Sequence, residues 1–350
     1  MDKAGRINEK NSELSSLFLF VLSLCLLVSG CDQQAHKLQQ TVFSGPIMGT
    51  DYRITLIHES GADIKAVEAE VLLAMQRVNQ SMSNYIESSE VSVFNAAGAL
   101  QQQTLSEGFR AVVAESLDIS KRSQGAFDVT VGELVNLWGF GPDGSITKSP
   151  SEAKIEALRD SIGYQKLKLE GNRLSKSHAE LKINVSAIAK GYAVDQVAET
   201  LKKLSFNRFL VNIGGELRAA GRSLSGELWR VGIEKPHVLG GIHRVAVLDN
   251  QSIATSGDYR NYLIIDGQQF SHTIDPKTLK PVLHKLALSS VISDQASTAD
   301  ALATALMAMG DVRAVDFVER ERIAAYLLIR GDKEGEYIVH ISEEFKSNLQ

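Results

Sequence analysis

Residues 209–265 read FLVNIGGELRAAGRSLSGELWRVGIEKPHVLGGIHRVAVLDNQSIATSGDYRNYLII. Four short runs inside this stretch, 209–213, 229–233, 244–248 and 262–265, are rich in β-branched and aromatic residues and separated by segments containing Gly, Ser and Asn. Such runs predict short strands joined by turns. Asp266-Gly267 follows the last of them and precedes another strand-like run, so it predicts a hairpin turn. A further strand is expected at 289–292, and a closing hairpin at 326–329 and 337–340.

Working outward, the pattern changes period. Residues 52–57 alternate as a strand, and 66–79 then carry Val67, Val71, Met75 and Val78 at helical spacing. A second helix is expected over 107–123, stopping at Gly125, a residue suited to a left-handed C-terminal cap. Ser149-Pro150-Ser151-Glu152 has the order of a capping box opening a helix to about residue 160. A strand at 181–185 should run into a long helix over about 186–204. Helices at 297–309, ended by Gly310, and at 312–320 complete the set. Strands and helices are segregated rather than strictly alternating, which favours an α+β fold over a doubly wound sheet.

The N-terminus is of another kind. Residues 17–28 (LFLFVLSLCLLV) form an apolar run preceded by Lys3, Arg6 and Lys10. It is shorter than the roughly 20 residues a spanning helix needs, and it fits the hydrophobic region of a signal peptide. Leu27-Val28-Ser29-Gly30-Cys31 resembles the lipobox of exported bacterial lipoproteins, with Cys31 as the acylated residue. Residues 1–30 then form the signal peptide, 31–41 a lipidated polar tether, and 42–350 the folded domain. Asp32 resembles an inner-membrane retention signal, so the body is expected on the periplasmic side of the inner membrane. Ten tether residues reach at most about 35 Å. The only two cysteines, Cys25 and Cys31, are both used up by this processing, so the domain must be held by its core. The net charge of -5 gives no footing for nucleic acid.

Five clusters join small residues to polar groups. Ser186 to Tyr192 (SAIAKGY) opens a helix, where free N–H groups and Lys190 favour an anion; the glycines of a Walker loop are missing, and a capped helix with a solvated lysine explains it equally well. Asp300 and Thr304 stand four apart on an alanine-rich helix, so both face one way. They are hard oxygen donors of the kind Mg²⁺ takes, or a surface aspartate beside a threonine bonded to its own backbone. His272, in Ser271–Pro276, follows a strand and precedes a proline turn, and can exchange a proton near neutrality. Gly125 to Thr130 with Leu137 to Gly141 offers a carboxylate, aromatic rings and flexible backbone. Met48-Gly49-Thr50 and Ser83-Asn84-Tyr85 are polar turns able to flank a flat ring.

Taken in order, these stretches resemble the FAD:protein FMN transferases of the ApbE type. The shared segments are 48–50, 82–85 through 94–95, 125–128, 186–195, 212–216, 254–260, 271–276 and 299–310. The resemblance implies a T-fold-like α+β body with two lobes around a central cleft. It implies Mg²⁺-dependent transfer of FMN from FAD to a threonine of an exported or membrane flavoprotein of a redox complex, releasing AMP. It assigns Met48, Tyr85, Ala126, Phe127, Asp128, Asn184, Lys190 and Ile274 to the flavin nucleotide. Asp300, Thr304 and the main-chain carbonyl of Ala187 would hold the metal. His272 is the first candidate base and Asp275 the second. Two positions depart from the family pattern: Leu279 stands where a glycine is common, and Asn184 where many relatives carry aspartate. Two other functions use the same residues, namely a Mg²⁺-dependent FAD pyrophosphatase and a flavin-binding lipoprotein that does no chemistry.

Overall fold

A computed structural model describes residues 37–236, 241–333 and 335–350. The chain divides into two units, 1–39 with 59–61, and 40–58 with 62–350. Everything described below, apart from the first residues of one strand and the end of the next, lies in the second.

The second unit is built on an eight-stranded sheet: β1 (Leu38–Ile47), β2 (Thr50–Glu59), β3 (Phe209–Ile213), β4 (Glu216–Ala220), β5 (Ser252–Gly257), β6 (Leu286–Ser293), β7 (Ala324–Arg330) and β8 (Tyr337–Ile341). Spatial order follows chain order from β1 to β8. Pairing from β2 onward is antiparallel throughout, with Tyr52 opposite Ile213 and Ala254 opposite Val291. The helices enter as insertions in this meander: α1 (Ile64–Met82), α2 (Glu107–Arg122) and α3 (Ser186–Lys203) between β2 and β3, then α4 (Ala296–Met309) and α5 (Asp311–Glu321) between β6 and β7.

Side chains alternate across a strand, so neighbours in sequence serve different cores. Ala325 and Leu327 pack with Ile54, Leu56, Phe209 and Val211 against α1, α3 and α4. Tyr326 and Leu328 turn to the other face, where Trp229, Val231, Ala246 and Leu248 of a two-stranded ribbon cover the sheet together with Phe345. Both faces are covered, which is why β6 is buried over nearly its whole length. A third, smaller cluster gathers Leu134, Trp138, Ile155, Ile162, Ile265, Ile274 and Leu279.

Local chemistry sets the helix ends. Asp63 caps α1 by accepting from Ala66 N at 3.1 Å, and Val67, Val71, Met75, Val78 and Met82 form its buried stripe. After α2 the chain leaves through Gln124 and Gly125, both at positive φ, and Gly125 N donates to Ser120 O at 2.8 Å. The Asp266-Gly267 hairpin also has both residues at positive φ, joining strands Tyr262–Ile265 and Gln268–Ser271.

Four expectations need correction. Strand β1 begins at Leu38, inside the segment expected to be tether. As an edge strand it pairs through its backbone, so its polar side chains concealed it. Residues 181–185 alternate in burial as expected, with Leu181, Ile183 and Val185 inside, yet they form no strand beyond an isolated bridge at Lys182. Side chains take the place of a neighbouring strand: Asn95 Oδ1 accepts from Ile183 N at 2.7 Å, and Asn84 and Asn95 both donate to Ile183 O. The capping serine is Ser151, which accepts from Lys154 N, and its helix covers only Glu152–Glu156. Ser149 instead donates its N–H to Asp266 Oδ2 at 2.9 Å. Strands β4 and β5 and the small sheet formed by Gln103–Thr104, Leu167–Glu170 and Arg173–Lys176 were not expected at all.

Candidate functional site

The polar centre of the molecule forms where α3, the start of β4 and α4 meet. Gly191 of α3 packs against the first residues of α4, and a Cβ there would collide with the carbonyl of Ala296. Glycine lets the two helices close up, and Gly191 N then donates to Asp300 Oδ2 at 3.0 Å. In a regular helix that N–H belongs to the carbonyl of Ala187, four residues back. Asp300 therefore reaches the opening turns of α3, the element that also carries Ala187.

Lys190 lies in the same corner. Its Nζ is 3.7 Å from Asp300 Oδ2, 3.5 Å from Glu216 Oε1 and 3.4 Å from Ser186 O. Burial raises the pKa of Asp300, and the Lys190 charge opposes that rise. Burial likewise pushes Glu216 up, to about 7, with Lys190 pulling it down and Asp300 adding to the rise. Burial alone would depress Lys190, but the two carboxylates outweigh it and hold the ammonium charged well above the usual lysine range. Glu216 is only 4% exposed, and its Oε2 has no hydrogen-bond partner in the protein. It follows the Gly214-Gly215 turn, where φ is +66° and +108°. A side chain at 214 would press on Thr50 and Lys190, and one at 215 on the Arg260 guanidinium. Thr304, one helical turn beyond Asp300, has its hydroxyl 3.4 Å from Ser256 Oγ of β5.

His272 is half-buried and stands directly after the strand Gln268–Ser271. Its Nδ1 lies 2.9 Å from Asn261 O, and its backbone N–H donates to the same oxygen. A carbonyl can only accept, so Nδ1 carries the proton and Nε2 keeps its lone pair. Burial lowers the pKa of this histidine, the Asn261 bond raises it, and the Lys190 charge lowers it further. The ring is thus neutral at pH 7 and lies within the field of the lysine site. Asp275 is differently placed. Its Oδ1 accepts from Lys277 N at 2.9 Å and its Oδ2 is 3.6 Å from Arg313 of α5, so the carboxylate fixes a turn.

The other expected nucleotide contacts are scattered over several elements. Met48 has φ +51° in the Met48-Gly49 turn between β1 and β2. Tyr85 is 72% exposed, whereas Ala126 and Phe127 are buried in the helical core. Asp128 is buried as well, with Oδ1 taking Thr130 N and Oγ1 and Oδ2 taking Tyr164 N. Its side chain therefore folds a loop. Asn184 accepts from Ser186 N at 2.9 Å at the mouth of α3, and it lines a cavity of about 260 Å³ with Asn84, Asn95, Asn136 and Lys182. Ile274 packs in the small third cluster.

Leu279 has φ +62°, the left-handed region that favours glycine. It holds that conformation because its side chain is buried beside Trp138, whose Nε1 donates to Leu279 O at 3.0 Å. Glu216 is the residue whose role the sequence did not reveal. The sequence placed it only within the shared segment 212–216, and the sheet register carries it to Lys190.

The ApbE family model matches residues 48–327 of the chain. A protein of Vibrio cholerae serotype O1 named FAD:protein FMN transferase is 39% identical over 317 residues, covering 90% of this chain and 94% of that one. One of the same name from Haemophilus influenzae is 35% identical over 337 residues, covering 94% and 96%. The solved structure of flavin transferase ApbE from Vibrio cholerae superposes with a TM-score of 0.83 at 38% identity, over 89% of this chain and all of that one. Sequence and fold lead to one conclusion: the chain belongs to the ApbE family.

Proposed function

We propose that the chain is a FAD:protein FMN transferase, which moves the FMN moiety of FAD to a threonine hydroxyl of an acceptor flavoprotein and releases AMP. The observation that carries this reading is the convergence of Lys190 and Asp300 beside Thr304, in a chain whose relatives bear that name. Transfer at a pyrophosphate depends mostly on positioning and on neutralising charge. Lys190, held charged by two carboxylates, supplies a fixed positive charge for a phosphate oxygen. The first turn of α3 adds N–H groups. His272 Nε2 is free to take the proton of an acceptor hydroxyl, which is a weak nucleophile unaided.

Among the described residues no three His, Cys, Asp or Glu side chains converge on a possible metal position. The oxygens of Asp300, Thr304 and Ala187 nevertheless fit a Mg²⁺ that completes its shell with water and phosphate oxygens. When bound, Mg²⁺ acts as a Lewis acid on the pyrophosphate. Exposed Tyr85 and the Met48 turn supply surfaces for the flavin ring.

The test mixes residues 32–350 with FAD, Mg²⁺ and exported flavoproteins, and follows acceptor mass and AMP. A transferase releases AMP in step with a gain of one FMN, lost when the acceptor threonine is replaced. Rapid AMP and free FMN without any adduct, across several acceptors, would overturn the reading in favour of a pyrophosphatase. Binding of FAD with release of neither product would leave a carrier. We also propose that Cys31, which lies outside the described residues, carries the lipid that holds the protein at the periplasmic face of the inner membrane. Cys31→Ser is expected to abolish incorporation of a labelled lipid, and equal label on variant and parent would rule the anchor out.

A further inference from the structure

Glu216 is expensive for the fold. A carboxylate taken out of water must find partners for its oxygens, and a buried polar atom left unmatched destabilises the fold. Here Oε1 faces Lys190 at 3.5 Å, while Oε2 has no partner in the protein. Nothing in the strand requires an acid there, because β4 pairs with β3 through its backbone at Ile213 and Glu216. The charges in the corner do not balance either. One ammonium faces two carboxylates, and Arg260, which also acts on Glu216, is paired with Glu234, so the cluster when ionised keeps one negative charge.

A group that satisfies both features must donate a hydrogen bond and carry positive charge. A hydrated divalent cation does both, since Mg²⁺ keeps several of its waters and polarises their O–H bonds. We propose that Glu216 is a second carboxylate of the cation site, accepting through Oε2 a hydrogen bond from a water molecule bound to the ion at Asp300. This rests on the cation reading given above and extends it to a residue outside the Asp300, Thr304 and Ala187 set. Partners of this outer kind orient the groups that bind a metal, and their loss typically weakens binding about 10- to 100-fold. Lys190 also keeps the two carboxylates compatible in the absence of the ion.

The experiment measures Mn²⁺ binding to the FAD-free protein by electron paramagnetic resonance, in the parent and in Asp300→Asn, Glu216→Gln and Glu216→Asp. Glu216→Gln keeps the shape and an oxygen for Lys190 but removes the charge. It is expected to bind Mn²⁺ about 10-fold more weakly, with a metal-free unfolding midpoint no lower than the parent's. Glu216→Asp, which keeps the charge on a shorter arm, should recover part of the affinity. Affinity of Glu216→Gln within about twofold of the parent overturns the proposal, since the loss expected of such a partner is at least about 10-fold. So does an equal loss in both Glu216 variants accompanied by a lowered metal-free midpoint, because that is structural damage. If the parent itself shows no binding that depends on Asp300, the cation reading fails and this proposal with it; Asp300-dependent binding indifferent to Glu216 removes the proposal alone.

Discussion

At the scale of single residues, the division of labour between His272 and Asp275 follows from what each already touches. His272→Asn can still donate to Asn261 O but offers no base. Turnover is expected to fall about 10²- to 10⁴-fold while FAD binding persists. A variant within tenfold of the parent would remove His272 from the chemistry. Asp275→Asn should be far milder in turnover, because an amide oxygen can still accept from Lys277 N. The pH dependence has a definite sign. Burial depresses the His272 pKa, so the proposed base stays neutral below the ordinary value of about 6.5, and activity is expected to be lost only as pH falls through the lower folded value. In that same window the unfolded chain takes the proton more readily, so the histidine's contribution to stability declines as pH drops and is intact above it. Leu279 is a separate matter of stability. Leu279→Gly relieves a left-handed conformation worth about 1–2 kcal/mol. It also empties a buried site whose truncation costs about 3–5 kcal/mol. A net loss of about 1–4 kcal/mol in denaturant unfolding is expected, and a gain would mean that backbone strain dominates there.

At the scale of elements, the approach of α3 to α4 decides whether the site exists. Gly191→Ala gains helix propensity of about 1 kcal/mol but sets a methyl group against the Ala296 carbonyl. Overpacking against backbone is expected to win, with a loss of about 1–3 kcal/mol or more and weakened metal dependence. A stabilised variant with normal activity would show that the close approach is dispensable. The same elements indicate how far the sequence could be read. Helices α1, α2, α3 and α4 were legible to within two or three residues because apolar residues recur in them at helical spacing, and Gly125 and Gly310 mark where α2 and α4 stop. The ribbon strands and the Asp266-Gly267 hairpin were legible for similar reasons. Strand β4 begins at Glu216 and β5 is mostly small or hydroxylated (SIATSG), so neither carries a hydrophobic alternation. Residues 181–185 had the alternation without a partner strand, since the asparagines that replace it lie about ninety residues away. Asp300 and Lys190 were visible as motifs. Their meeting with Glu216 was not, because it depends on the sheet register.

At the scale of the whole molecule, stability rests on three apolar clusters and on no thiol chemistry. Both cysteines precede the described residues, so none among these can form a disulfide. Reductant should therefore leave thermal unfolding unchanged. If the proposed cation is bound, a chelator is expected to abolish turnover while lowering the unfolding midpoint by less than about 5 °C, because one ion adds only a little to a fold that its core already supports. Collapse of the structure on chelation would instead make the cation part of the scaffold. The position of β1 bears on mechanical load. It is an edge strand that begins at Leu38, it is hydrogen-bonded to β2, and Phe43 seats it in the main core. With the anchor proposed at Cys31, any pull between membrane and protein enters at the free end of this strand. The tug would have to peel ten residues before reaching Met48 at the far end of the hairpin. Strand β1 would thus take that load before the corner formed by α3, β4 and α4 does, with Phe43 as its holdfast in the core.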